Sequence, residues 1–218
     1  MKGWVLILIL IILISSGCAV QEIVLEGKNQ QIQIIDSNQT QVTAAENMPK
    51  VLFIIAQNSF RDEELEKPKQ ILESADYGVD VASITNEHAI GMLGAVVKPD
   101  LAVKDVNISD YALIVVVGGS GAPQLANHPE VLNLLEQAKA SNKKLAAICL
   151  GPMVLAKAGV LQGKQATVFK DSDSVSALES GGATFVDQKI VVDTGLVTAN
   201  GPGASIEFGN ELINLLKS

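Results

Sequence analysis

Three short segments of this 218-residue chain carry residue types that could do chemistry. Cys149 stands in Ala-Ala-Ile-Cys-Leu-Gly-Pro (residues 146–152), between an apolar run and a helix start. At such a turn, backbone N–H groups and the helix dipole favour a thiolate, so the thiol is expected to titrate below its ordinary value of about 8.5. The pair Gly118-Gly119, in Gly-Gly-Ser-Gly-Ala-Pro, removes side chains from a second loop and frees its N–H groups to face an anion. The N–H groups of Gly119 and Leu150 are the expected oxyanion donors, and Gly118, Asn200 and Gly201 are expected to line the binding site. The third segment is Asn-Ser-Phe-Arg-Asp-Glu-Glu-Leu (residues 58–65), whose acids Asp62, Glu63 and Glu64 are followed by Glu66. The bland alternatives are an inert core cysteine and a solvated acidic helix N-terminus.

Two histidines offer little to these segments. His128 precedes Pro129 and Glu130, an arrangement in which Asn127 or His128 caps a helix and proline fills its first turn. His88 lies in the polar stretch Asn-Glu-His-Ala-Ile-Gly and is expected at the surface. With no CxxC or HExxH spacing, neither a metal nor another cofactor is expected.

The elements that must position Cys149 are legible as a rhythm. Val- and Ile-rich runs at 51–56, 79–84, 113–119 and 144–149 have the length and composition of strands buried on both faces. Between them, Glu63–Ala75 and Pro129–Ser141 carry apolar residues at helical spacing. After Cys149 the pattern predicts a helix over 152–158, a strand over 166–169 and a helix over 174–180. A β-ribbon over 184–198, turning at Asp187-Gln188 or at 193–195, and a helix over 203–216 complete it. Alternation of this kind indicates an α/β sheet wrapped by helices, in which ligands bind outside the carboxyl ends of the strands. All three chemistry-bearing segments fall at such ends.

Composition bounds the partners. A 48% hydrophobic content is enough for one core plus an appendage, and the net charge of -8 argues against a nucleic-acid partner. A small molecule or another protein fits better. Residues 1–17 give Lys2, an apolar run from Trp4 to Ile14 and then small residues before Cys18, the layout of a secretory signal or a short signal-anchor. Gly17-Cys18 resembles the lipobox of prokaryotic lipoproteins, in which the cysteine receives lipid, although Ser15 replaces the usual aliphatic residue. Lipidated Cys18, an uncleaved anchor and an incidental hydrophobic leader are the three readings. The first two place the protein at a membrane, extracytoplasmic if lipidated. Residues 18–48 read as a polar tether with room for a short strand at 32–35, and 49–218 as the compact domain.

Four motifs carry a family resemblance: Phe-Arg-Asp-Glu-Glu-Leu with Pro68 following, Val-Val-Val-Gly-Gly-Ser-Gly-Ala-Pro, Ala-Ala-Ile-Cys-Leu-Gly-Pro with Ala-Lys-Ala-Gly-Val-Leu following, and Ala-Asn-Gly-Pro-Gly-Ala-Ser-Ile-Glu-Phe. In this order and spacing they resemble the ThiJ/PfpI family of peptidases and protein deglycases, over about residues 50–217. The resemblance implies a flavodoxin-like three-layer α/β/α sandwich with a mostly parallel sheet, related to class I glutamine amidotransferases. It further implies a nucleophile elbow at Cys149, Glu64 as the acidic partner beside the sulfur, and a homo-oligomer. Many members carry a histidine directly after the cysteine or at the end of the following strand, where this chain has Leu150 and Phe169. Ser172 and Asp173 are the polar residues available to replace it. Without a histidine, acyl transfer to peptides lacks its proton donor. The expected function is a Cys-dependent glyoxalase or deglycase acting on reactive carbonyls or their protein adducts. The alternatives are a thiol redox sensor or chaperone-like module, and a PfpI-type cysteine peptidase.

Overall fold

A computed structural model of the chain describes residues 49–218. The leader at 1–17, Cys18, the tether at 18–48 and the strand at 32–35 lie outside the described residues. The chain first runs β1 (Lys50–Ile54), β2 (Asn58–Phe60), α1 (Asp62–Ser74), β3 (Val79–Ser83), β4 (Ala89–Gly91), β5 (Val96–Val97), β6 (Leu101–Ala102) and β7 (Tyr111–Val116). It continues through α2 (Pro129–Ala140), β8 (Lys144–Ile148), α3 (Gly151–Lys157), β9 (Gln165–Ala166), α4 (Ser172–Ser180), β10 (Thr184–Phe185), β11 (Ile190–Asp193), β12 (Leu196–Ala199) and α5 (Ser205–Lys217).

Seven strands form the main sheet in the order β11-β12-β8-β7-β1-β3-β6, parallel throughout except for the β11 edge. Side chains alternate across a strand, so β1 and its continuation send Val51, Phe53 and Ile55 to one face and Leu52 and Ile54 to the other. All five are fully buried, which is why the run carries no polar alternation. Leu65 and Leu72 of α1 with Phe208 and Leu212 of α5 cover the first face. Leu134 and Leu135 of α2, Val154 and Leu155 of α3, and Leu178 of α4 cover the second. Helices α1 and α5 cross closely at Gly209, where a Cβ would stand 3.0 Å from Pro68 Cα. The result is the predicted three-layer sandwich.

The strand predicted at 166–169 shrinks to β9, which pairs with β10 in a separate two-stranded sheet and leaves Phe169 in an irregular segment. The ribbon expected over 184–198 divides in consequence. Only β11 and β12 form the hairpin, turning at Thr194-Gly195, where Gly195 adopts φ +71. Residues 89–97, to which periodicity assigns no element, hold the hairpin β4–β5 beside β2. Its strands of three and two residues are too short to show a period. The chain leaves β1 for β3 on one side and then crosses to β7 on the other, so the strand order reverses between β1 and β7. Loops following β1, β7 and β8 meet at this switch point.

Candidate active site

Strand β8 ends at Ile148 and α3 begins at Gly151, leaving two residues for a sharp reversal. Cys149 makes it in a left-handed conformation, φ +60. Such a backbone costs a non-glycine residue about 1–3 kcal/mol and persists only where its surroundings hold it. Here the Cys149 N–H donates to Ala199 O at 2.8 Å, and the Cys149 carbonyl accepts from Phe169 N–H at 2.9 Å. Gly151 lets the elbow rest on β7, since a Cβ there would stand 2.4 Å from Val116 O. Ser59, in the facing strand β2, is also left-handed at φ +60. The other two such residues, Asp76 and Asn142, are types that tolerate this region.

The acidic run resolves into separate roles. Glu66 is exposed, Glu63 pairs with Arg61, and Asp62 accepts from Leu93 N–H at 2.9 Å and Ala95 N–H at 2.8 Å. Glu64, with no exposed surface, turns inward from the first turn of α1 and meets Cys149. Its Oε2 accepts from Gly118 N–H at 3.1 Å, while Oε1 is buried without a conventional partner. Pro68, four residues on, has no N–H to offer the Glu64 carbonyl, so one backbone hydrogen bond is missing there although α1 runs on to Ser74. Gly118 is wedged between the pair: a Cβ on it would lie 2.5 Å from both Cys149 Cβ and Glu64 Oε2.

Burial controls the titration of both groups. It pushes the Glu64 carboxyl up to about 7, against the thiol and the Gly118 N–H, which pull it down. It pushes the Cys149 thiol up to about 12, helped by the Glu64 charge and opposed by N–H groups of Gly119 and Leu150 that face the sulfur. The lowered thiol expected from the sequence is therefore corrected. Cys149 is only 8% exposed, and α3 has just seven residues, so desolvation outweighs the helix dipole. The two sites accommodate one negative charge between them, and they titrate as a unit. A proton on Glu64 removes its charge from beside the thiol, and Gly119, Leu150 and Arg61 then favour a thiolate against the desolvation that remains.

The structure thus brings together Cys149, Glu64, Gly118, Gly119 and Leu150. Gly118 serves the carboxyl instead of lining open space. Asn200 and Gly201 follow β12 on the same rim, with Gly201 at φ +152 and a Cβ there 3.9 Å from the ring of Phe169. Ser172 and Asp173 form the exposed first turn of α4 and bond to each other, and neither is among the groups acting on Cys149. His128 occupies the N-cap position of α2 without a side-chain capping bond, its Nδ1 3.5 Å from Glu130, and the His88 carbonyl accepts from Gln57. Cys18 lies outside the described residues. A surface depression of about 880 Å³ between Asp193–Gly195 and the end of α5 opens at the amino ends of the strands, away from Cys149. Arg61 was missed by sequence reasoning; it is the one cation in the segment 58–65, and its signal was hidden by the acids that follow.

A strained cysteine elbow, an inward glutamate and facing N–H groups meet at the switch point of a mostly parallel α/β/α sandwich. Residues 49–215 match the DJ-1/PfpI family, and the chain belongs to it. An uncharacterized protein of Methanocaldococcus jannaschii is 38% identical over 100% of this chain and 98% of its own length. Deglycase PfpI of Pyrococcus furiosus is 31% identical over 77% of this chain and 99% of its own. The glutathione-independent glyoxalase DJR-1.2 of Caenorhabditis elegans is 31% identical over 57% of this chain and 65% of its own. The crystal structure of a ThiJ/PfpI domain protein from Brachyspira murdochii superposes with a TM-score of 0.74 at 30% identity, covering 78% of this chain and 97% of that one.

Proposed function

We propose that this protein is a Cys149-dependent glyoxalase or deglycase acting on 2-oxoaldehydes or on their adducts with proteins. The observation that carries the reading is the buried pair itself. Glu64, at about 7, can hold or release a proton at neutral pH beside a thiol that has no histidine base. The Cys149 thiolate adds to the aldehyde carbon and forms an S–C bond, while Gly119 and Leu150 N–H groups receive the oxyanion. Glu64 then carries a proton from that carbon to the neighbouring carbonyl carbon. The aldehyde carbon is oxidised and its neighbour reduced, so no external oxidant is required. Water cleaves the resulting thioester, releasing a 2-hydroxy acid and the thiol. Relatives named as a deglycase and a glyoxalase support this chemistry.

Methylglyoxal consumption by the full chain tests it. Cys149→Ala should lose at least about 100-fold in rate, the scale of a removed nucleophile, and a rate equal to wild type would sink the reading.

Membrane tethering through the N-terminus belongs to the same proposal. Its support is the apolar run 4–14 ahead of Cys18 and a match to the methanogen relative that includes this region. Among the described residues no helix is long and apolar enough to cross a membrane. In cell fractionation, the protein should sediment with membranes, and Cys18→Ser should release it if lipid on that cysteine is the anchor. Retention of the variant would favour an uncleaved anchor, and a soluble wild type would remove the tether.

A further inference from the structure

Arg61 handles no reacting atom in the chemistry just described beyond favouring the Cys149 thiolate by its charge, yet it is built into the rim of the site. Its N–H donates to Gly118 O at 3.0 Å, which ties the N-cap of α1 to the loop carrying the oxyanion donor. Its side chain remains 27% exposed, and its positive charge acts on both Glu64 and Cys149. It is the cation among the main influences on Glu64. A guanidinium presents two edges that can each take a planar carboxylate through paired N–H bonds. The Glu63 carboxylate occupies one edge, with Oε2 2.6 Å from Nε and Oε1 3.2 Å from Nη2. The end-on edge, Nη1 with the second N–H of Nη2, has no acceptor among the described residues.

We propose that Arg61 is a specificity-determining residue whose end-on edge receives a carboxylate of the substrate. This rests on the carbonyl reading above and narrows it. The preferred class is a 2-oxoaldehyde carrying a carboxylate a few bonds from its carbonyls, in place of a neutral one such as methylglyoxal. Glu63 holds the fork through Nε and Nη2 and leaves that edge without a partner among the described residues. Neutral 2-oxoaldehydes still react at Cys149, because neither the elbow nor Glu64 requires a charged substrate.

Two measurements on the full chain separate this proposal from the reading beneath it. The first needs no turnover: Cys149 is alkylated with iodoacetate and with its neutral counterpart iodoacetamide, and each rate is read on the Cys149 peptide by mass spectrometry. In both reactions the thiolate forms an S–C bond and iodide leaves. The iodoacetate-to-iodoacetamide ratio should fall about tenfold in Arg61→Ala, the scale of one charge-assisted pair, and partly in Arg61→Lys. Lys139→Ala, remote from the site, should leave it unchanged. A ratio equal in wild type and Arg61→Ala overturns the assignment, and full retention in Arg61→Lys overturns the paired-edge geometry. The second compares kcat/KM for 4,5-dioxopentanoate and methylglyoxal. Wild type should favour the carboxylated substrate by about tenfold, and Arg61→Ala should abolish that preference by raising its KM while methylglyoxal turnover persists. An equal loss on both substrates would assign Arg61 to the general architecture of the loop and overturn the proposal. Failure of wild type to consume either compound would instead overturn the carbonyl reading, with the alkylation ratio still deciding Arg61.

Discussion

A carboxyl that titrates near neutrality leaves a mark on stability as well as on reactivity. Glu64 is raised from its usual 4.5 to about 7, so the folded protein binds a proton there that the unfolded chain has already lost. The associated stability is fully present below about pH 4.5 and is lost as pH rises through 7, by on the order of 3 kcal/mol. Thermal unfolding should therefore show Tm falling across this window. Glu64→Gln, neutral at every pH, should flatten that part of the profile and leave Cys149 without its proton carrier. A wild-type Tm that is level from pH 4.5 to 7 would mean that Glu64 titrates in the folded protein as it does in the unfolded chain. The same residue explains the glycine beside it, because any side chain at position 118 would occupy space shared by the sulfur-bearing Cβ and the carboxyl.

At the scale of elements, the hairpin β4–β5 depends on one side chain of α1. Burial alone would raise the Asp62 carboxyl, but N–H bonds from Leu93 and Ala95 outweigh it and hold it below its usual range. Gly91 is required opposite, since a Cβ would stand 2.4 Å from Asp62 Oδ1. Asp62→Ala would orphan both N–H groups and should cost on the order of 2 kcal/mol. Hydrogen exchange should localise the effect, with Leu93 and Ala95 amides exchanging faster while those of β1 and β7 stay protected. Uniform acceleration throughout the sheet would show instead that Asp62 supports α1 as a whole. Because Asp62 lies two residues before Glu64, the hairpin and the site share one helix start.

At the scale of the whole molecule, the exposed large apolar side chains of the described residues are unevenly spread. Ile90, Met92, Leu93 and Val96, between 45% and 64% exposed, gather on and around that hairpin. A concentration of this kind marks an interaction surface. Met92 also lies against Ser120, the sulfur 3.4 Å from its N–H, so the patch continues to the loop that carries Gly118 and Gly119. We propose that a second copy of this chain covers it, in keeping with the homo-oligomer that the family resemblance implies. Light scattering after size exclusion, with the full chain in detergent, should give a mass above that of the 22.9 kDa monomer. Leu93→Glu should lower that mass by burying a charge at the contact, and an unchanged mass would place the interface elsewhere.

By itself the sequence determined the alternation of buried strands and helices, because a strand covered on both faces must be apolar at nearly every position, as residues 51–56 are. It also determined the elbow, since Cys149 with Leu150 and Gly151 leaves too few residues for anything but a sharp turn. The tertiary structure decided which acid matters. Asp62, Glu63 and Glu64 are equivalent as residue types, and only the packing of α1 on the sheet sends Glu64 to the sulfur, Asp62 to the hairpin and Glu63 to Arg61. Resemblance singled out Glu64, but periodicity could not. Tertiary structure also decided the state of the thiol. Local sequence speaks for the helix dipole, which acts within a turn, whereas desolvation depends on everything packed around the sulfur. The short strands β4 and β5 were illegible, and the pairing of β9 with β10 unforeseen, for the same reason: each is defined by the partner it meets and not by a period of its own.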